Sequence, residues 1–437
     1  MTTRLRQFAF RFGPSLILVL GFAALALLRH ANLELYYQFQ QWTDHSADYT
    51  PFVDMQAILQ AEACWQQGVN VYVANACMGG GYFNYSPFLL WLVHLPLSGA
   101  DTTPAALLTD FLLIASLSLL PPAKSETESA FRLIVIVSPA TLYALERANL
   151  DVTIFAFSVL ACYLLGKKPL LRVAGYALIV LLALAKFYPV FALVSIIRER
   201  RRVFLLTAAG CLITLLLGFF AFKSQTISAI SIIPIGWPFD GQFGSANIPY
   251  GIRVLRAPGD FFGGMRVFHY DFTWFDFGVF TVLRLIALII FITSIRHYRH
   301  NVPAIQNPAM TLFTVGGAII IGCFFTAQSG NYREIFLIFT LPALWLIAKT
   351  SPPVAQAHLA LLIIGVVFTV WQPFLNGVLF AFLGLFVSFP ALNFPKFIFW
   401  LFRELLFWWI MIQFAAILAA AALPQLARFY RPAAAQT

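Results

Sequence analysis

Residues 167–202, KKPLLRVAGYALIVLLALAKFYPVFALVSIIRERRR, hold an apolar run, 173–197, between two basic clusters. Lys167, Lys168 and Arg172 precede it, and Arg198 with Arg200 to Arg202 follow it. Short basic connections of this kind belong to the cytoplasmic side of a membrane. A single crossing would strand one of the two clusters on the wrong side. The alternative is a hairpin of two short helices turning at AKFYP (185–189), where Pro189 disfavours a helical conformation at Tyr188. Each arm of roughly 12 residues reaches about 18 Å at 1.5 Å per residue, which leaves Lys186 within the hydrocarbon depth, toward its outer half. An ammonium group there costs at least about 2.5–3.5 kcal/mol on insertion scales. One reading of Lys186 is a structural ion pair. No partner stands out in the neighbouring helices, so the reading preferred from sequence is a ligand for an anion.

The rest of the chain has the same character. Of 437 residues, 60% are hydrophobic and only 11% charged, with 46 Phe, so a soluble domain of this size is excluded. Charge-free runs such as 203–222 and 405–423 match the roughly 20 residues that cross a bilayer as a helix. Helices are the form that satisfies every backbone group in lipid, apart from closed barrels, and the expected fold class is an all-α polytopic membrane protein. The net charge of +10 sits in short connections, among them Arg4, Arg6 and Arg11, and later Arg296 and Arg299. It therefore reads as membrane orientation, with no nucleic acid as partner. Residues 14–28 follow a basic start without a small-residue cleavage site and read as a retained signal-anchor helix.

Threading from a cytoplasmic N-terminus makes residues 29–85 the first extracytoplasmic loop, because no Lys or Arg lies between Arg29 and Lys124. Five acids (Glu34, Asp44, Asp48, Asp54 and Glu62) fall in its first part. The segment 86–98 is too short to span and reads as re-entrant or interfacial. Residues 104–122, the run up to 145, 151–166, 203–222, 278–295, 309–325 and 335–348 follow as further segments, with 223–277 a second outer loop. Three apolar segments close the chain: 357–374, 376–391 and 398–422, the last interrupted early by Arg403 and Glu404. The total is 11–13 membrane segments in one domain, 1–437. This parity leaves Arg428 and Arg431 outside, against the charge rule. Cys162, Cys211 and Cys323 read as packing residues. Cys64 and Cys77 share the first outer loop, where a disulfide and two free thiols are both open readings. No Cys/His spacing marks a metal site.

The unusual polar residues converge on the outer face: Asp54, Tyr85 in FNYSP (83–87), Arg147, Asn149, Asp151, Lys186, Asn247 to Arg256, and Arg333 with Glu334. Arg and Lys at membrane depth suit a phosphate held at head-group level. A loop Asp is usually just solvated, but Asp54 begins an amphipathic stretch, and Glu62 reads as an ordinary helix-face residue beyond it. Arg147 and Arg333 have an alternative reading as interfacial residues that extend to water. No P-loop, dinucleotide fingerprint or Ser/His/Asp arrangement is visible.

The order Asp54, AILQAEACWQQGVNVY (57–72), YSPFLLWLVHLPL (85–97), RANLDVTIFAFSVLACYLL (147–165) and the lysine hairpin resembles the bacterial polytopic glycosyltransferases of the GT-C class. Within them it looks most like the family 87 polyprenyl-phosphate-mannose-dependent mannosyltransferases. The matching positions are Asp54, Gly68 with Tyr72, Tyr85 with Pro87, Ala148-Asn149, Ala174-Gly175, Lys186 with Pro189, and Arg200 to Arg202. The match spans roughly residues 10–260 and, more weakly, NYREIFLIFTLPALWLI (331–347). Ala148 stands where the family usually has Gly, and NIPYGIRVLR (247–256) lacks the Ser of the family's Asn-x-Ser…Gly…Arg pattern.

The resemblance implies a GT-C-like bundle and inverting transfer of a hexose, mannose in the family, from a polyprenyl-phosphate sugar donor to a hydroxyl of a glycolipid or glycan acceptor. Asp54 would act as general base. Lys186, Arg333, Arg147 and Arg256 would hold the donor phosphate, and Tyr85, Asn149 and Asn247 would contact substrate. The implied setting is the inner membrane with the site facing outward, and the lipid bilayer as a partner. No metal and no cofactor is implied. The alternative is a transporter or flippase of a lipid-linked sugar, for which a second broken hairpin would be expected and none is seen. A lipid-linked glycan ligase or polymerase would carry its polar loop later in the chain.

Overall fold

The computed structural model describes residues 3–42, 51–93, 99–233, 238–239, 241–256, 273–326, 328–386 and 393–429. Its helices are α1 (Thr3–Ala31), α2 (Leu33–Trp42), α3 (Val53–Gln66), α4 (Pro87–Leu92), α5 (Thr102–Ser116), α6 (Glu126–Ile136), α7 (Pro139–Arg147), α8 (Leu150–Leu165) and α9 (Pro169–Ala185). Then follow α10 (Arg201–Ala221), α11 (Lys223–Ser231), α12 (Asn247–Arg256), α13 (Trp274–Tyr298), α14 (Pro308–Thr326), α15 (Leu341–Thr350), α16 (Pro353–Leu383) and α17 (Asn393–Phe429). The described strands are two residues each, β1 (Gln242–Phe243) and β2 (Ser329–Gly330), paired antiparallel. Among the described residues seven helices are long and apolar enough to cross a membrane, α6 and α7 form one bent pair, and four further apolar helices are shorter. The protein is a polytopic, all-α membrane protein. α4, six residues long, is too short to cross, and the rest of the 86–98 segment, from 94 on, lies outside the described residues.

The lysine hairpin forms. α9 ends at Lys186, whose backbone is extended (φ −152°, ψ 101°), and the chain returns as a 3-10 helix, Tyr188–Arg198. The two open ends meet at a residue to which the sequence reading gave no role. Glu199, almost fully buried, takes a hydrogen bond from the Tyr176 hydroxyl (3.0 Å) and pairs with Arg172 (3.2 Å). A buried carboxylate between them lets the two basic clusters sit side by side.

The C-terminal third departs from the expected segmentation. Residues 357–374 and 376–391, expected as two segments, lie largely within one helix, α16, which runs from Pro353 to Leu383 through Pro373. Proline is tolerated inside a membrane helix because neighbouring groups satisfy the freed carbonyl. Removing one crossing reverses the parity of all that follows. The end of α17 accordingly lies beside the basic turn: Gln425 donates to Gln306 (3.3 Å), Gln306 donates to the Arg198 carbonyl (3.3 Å), and the rings of Phe204 and Phe429 are 5.3 Å apart. The expected conflict with the charge rule disappears. A green fluorescent protein fused after the C-terminus should fluoresce, and alkaline phosphatase fused there should stay inactive; the reverse pattern would restore the opposite parity. Arg403 and Glu404, expected to interrupt the last segment, are buried neighbours within it: Arg403 donates twice to Glu404 (3.0 and 2.6 Å) and once to the Pro238 carbonyl (3.3 Å), so the pair lies inside a continuous helix.

α14 is the central helix. In its most apolar window 83% of residues are buried inside the protein, against 6% for α1 and for α10, which turn their side chains outward. Two 3-10 helices pack on α14, Tyr188–Arg198 and Asn331–Phe339, and each follows directly on a deep cation or contains one. Runs of 3-10 helix this long are uncommon. Gly316 explains one of them: a Cβ there would stand 2.2 Å from Cβ of Phe339, so only glycine lets that segment lie so close.

Cys64 and Cys77 are bridged (Cα–Cα 6.0 Å), which decides between the two readings left open. The bridge ties the end of α3 to the turn at Ala76–Met78, and Gln60 donates to the Cys77 carbonyl (2.7 Å). Gly68 (φ +77°) makes the left-handed turn that brings the chain back, a conformation glycine adopts without strain. Closing a loop of this size is worth about 3 kcal/mol in the chain-entropy account. The double variant Cys64→Ser/Cys77→Ser should lose roughly that much, read as earlier melting and faster proteolysis between α3 and α4 with the bundle intact.

Candidate functional site

Two helix ends and one loop build the site. The start of α3 is tied to the end of α7 by the Phe52 N–H, which donates to the Glu146 carbonyl (2.8 Å). That bond sets Asp54, in the first turn of α3, beside Arg147, in the last turn of α7. Arg147 grips the carboxylate with two donors, Nη2 to Oδ1 (2.8 Å) and Nε to Oδ2 (3.0 Å). Such forked pairs fix orientation as well as charge. Asn149 Nδ2 donates to Asp54 Oδ2 (2.5 Å), and its ring of contacts continues, since Asn149 Oδ1 accepts from the Asp151 N–H (2.9 Å) and from Lys186 Nζ (3.3 Å). Asn149 is the N-cap of α8, so one amide both starts a helix and joins two charged groups.

The turn that makes this possible is strained. Between α7 and α8 the chain passes through Ala148 at φ +45°, ψ 47°, fully buried. A left-handed residue at that place is usually glycine, because a Cβ costs about 1–2 kcal/mol there. This chain carries the strained alanine at a turn that glycine would make freely.

Lys186 has a partner, contrary to the expectation from sequence. Its ammonium donates to Asp151 Oδ1 (2.5 Å), which also accepts from the Tyr188 hydroxyl (2.6 Å). Arg333 approaches the other oxygen, Oδ2, at 3.4 Å. Asp151 is wholly buried and lies in the first turn of α8. One carboxylate here stands between two cations, so this half of the site keeps an excess positive charge. Tyr85 closes the space above Lys186, with Nζ 4.8 Å from its ring centre. The rings of Tyr188 and Tyr332 also face the ammonium, at 5.6 and 5.9 Å. Burial first, and then the Asp54 carboxylate, push the Tyr85 phenol well above its ordinary pKa, so it is a proton-bearing donor.

Asp54, Arg147, Asn149, Lys186, Arg333 and Tyr85 therefore come together. Asn247 does not join them. It belongs to a second buried set, where its amide donates to Glu404 (3.2 Å) and to the Gln242 carbonyl (2.9 Å), and accepts from Gln328. The side chain of Arg256 lies outside the described residues. Glu62, expected on an ordinary helix face, is fully buried and accepts from Gln66 (2.9 Å). Among the described residues no group of three or more His, Cys, Asp or Glu side chains is placed to hold a metal ion.

No family model and no curated protein matches the sequence. Among solved structures the chain is similar to one described as the crystal structure of ArnT from Cupriavidus metallidurans in the apo state, at 14% identity and a TM-score of 0.33, over 92% of this chain and 77% of that one.

Proposed function

We propose that this protein is a GT-C-class membrane glycosyltransferase, which moves a hexose, mannose by the family pattern, from a polyprenyl-phosphate donor to a hydroxyl of a glycolipid or glycan acceptor. The reaction takes place on the face opposite the basic clusters, the periplasmic or exterior face. The observation that carries this reading is the junction at Asn149, where one amide holds both an oriented carboxylate, Asp54, and the cationic set of Lys186 and Arg333.

The division of labour follows from that junction. Asp54 takes the proton from the acceptor hydroxyl as its oxygen attacks the anomeric carbon. The bond from that carbon to the phosphate oxygen breaks on the opposite side, with inversion, and the lipid phosphate leaves with the electron pair. A phosphate is a stable anion and needs no general acid. Lys186 and Arg333 offset its charge, and preorganised cations in a water-poor site act with little reorganisation. Arg147, expected as a phosphate ligand, is instead read as the group that aims Asp54, since two of its donors lie on that carboxylate. Asn149 and Tyr85 remain the substrate-side neutral contacts, while Asn247 and Arg256 have no assigned part in the step.

The test is purified protein in proteoliposomes with labelled polyprenyl-phosphate mannose and extracted envelope glycans. Label should appear in a glycosidic product. Label that crosses the bilayer with no new glycosidic bond would make the protein a flippase.

A further inference from the structure

The first outer loop carries a second concave site that the transfer step does not use. A cavity of about 380 Å³ opens between the end of α3 and α11, lined by Trp65, Asn70, Tyr72, Ser224, Gln225 and Ser228. Its size falls among small-ligand clefts, about 300–1,000 Å³. Three features give its chemistry. The lining holds no charged side chain, so an anion has no counter-charge there. It combines an indole face with two amides and two serine hydroxyls, apolar surface beside groups that both donate and accept. Tyr72, only 2% exposed, keeps its hydroxyl buried without a hydrogen-bond partner among the described residues. That hydroxyl presents no surface to the cavity, so Tyr72 forms its wall through the ring.

The site is also physically joined to the charged centre. Trp65 meets Tyr72 edge-on (5.9 Å between ring centres), Tyr72 meets Phe83 (6.1 Å), Phe83 meets Tyr85 (5.3 Å), and Tyr85 faces Lys186. The Cys64–Cys77 bridge sits next to Trp65 and holds this end of α3 in place. The first outer loop thus contributes to both the cavity and the charged centre, with the rings of Phe83 and Tyr85 between them.

From this geometry we infer that the cavity is a binding subsite for a neutral pyranose of the acceptor, stacked on Trp65 and hydrogen-bonded by Asn70 and Gln225. The inference rests on the glycosyltransferase reading for the word acceptor, while the sugar chemistry rests on the lining alone. Phe83 and Tyr85 intervene between the cavity and Lys186, so the sugar seated here is not the one that reacts. The acceptor is then larger than a single sugar, and this subsite selects it by an outlying residue. The same pyranose could belong to a free glycan or to a glycolipid head.

The experiment uses full-length protein in nanodiscs. Saturation-transfer NMR follows mannotriose, maltotriose and cellotriose as soluble probes, and a parallel arm adds monoglucosyl diacylglycerol to the bilayer. At least one probe should bind, and Trp65→Ala should weaken it tenfold or more. Ser228→Trp, which fills the cavity without removing a core side chain, should do the same, with formation of the Cys64–Cys77 bridge as the check on folding. Trp65→Phe should retain binding within about threefold, since it keeps an aromatic face. Asp54→Asn should bind the probe like the parent protein. Binding of soluble probes marks a free glycan, and binding only of the glycolipid marks a lipid head; either supports the subsite. No binding in both arms, or unchanged binding in Trp65→Ala, overturns it. Probe binding without any transfer activity sinks the transferase reading and leaves the sugar subsite standing.

Discussion

Asp54→Asn should lower sugar transfer by about 10²–10⁴-fold, the range a positioned general base supplies. The asparagine keeps the shape of the side chain and still accepts through its one carbonyl oxygen, but its NH2 group faces a donor of Arg147 or Asn149, so part of the forked pair is lost. What it loses is the ability to take a proton. The rate of product formation should therefore collapse, with a smaller loss of melting temperature from the weakened pair with Arg147. Asn149→Ala offers the complementary case. It removes the donor at 2.5 Å from Asp54 and the N-cap of α8 together, so both rate and stability should fall. The measurement is turnover of labelled polyprenyl-phosphate sugar under single-turnover conditions. Full activity in Asp54→Asn would show that the proton goes elsewhere, and Asp54 would then be only an anchor for Arg147.

Much of this arrangement was legible before any coordinates, and the reasons are specific. Two basic clusters flanking one apolar run leave few choices, so the hairpin at Lys186 followed from charge and the bilayer alone. Asp54 could be set on the same face as Lys186 because a loop without Lys or Arg has one plausible side. The partner of Lys186 was not legible. Asp151 lies 35 residues earlier, named with Lys186 among the polar residues of the outer face but not as its partner, and the ion pair exists only once α8 packs against α9 and Lys186 is brought beside it. Pair formation across packed elements leaves no periodicity in the sequence. The same holds for Glu199, whose carboxylate joins the two arms of the hairpin.

The C-terminal segments were misread for a different reason. An apolar stretch with a proline reads equally as two short spans or one long one, and length alone does not separate them. The contact from Gln425 through Gln306 to Arg198 does separate them, because it ties one chain end to a cluster whose side the charge rule sets. Asn247 is a third case. Its position in the chain suggested the charged centre, but its amide is taken up by Glu404 and the β1 backbone. A polar residue at membrane depth needs a partner, and sequence does not say which one.

The largest effect on stability is expected at Asp151. It is fully buried and is the carboxylate between Lys186 and Arg333, so Asp151→Ala would leave two deep cations without their counter-charge. Breaking a buried pair by removing one partner costs about 3–5 kcal/mol, because the remaining charge stays desolvated. The Tyr188 hydroxyl also loses its acceptor, which adds to the loss. The variant should melt well below the parent in detergent and accumulate poorly in membranes. If the cost arises from the stranded ammonium, Lys186→Met in the same chain should return part of it, so that the double variant is more stable than Asp151→Ala alone. Coupling between contacting residues of this kind is about 0.5–3 kcal/mol. Activity should not return with stability, since Lys186 is assigned to the leaving phosphate. A double variant that recovers both would remove Lys186 from the mechanism, and one that is no more stable than Asp151→Ala would mean that Arg333, not Lys186, is the cation that Asp151 holds.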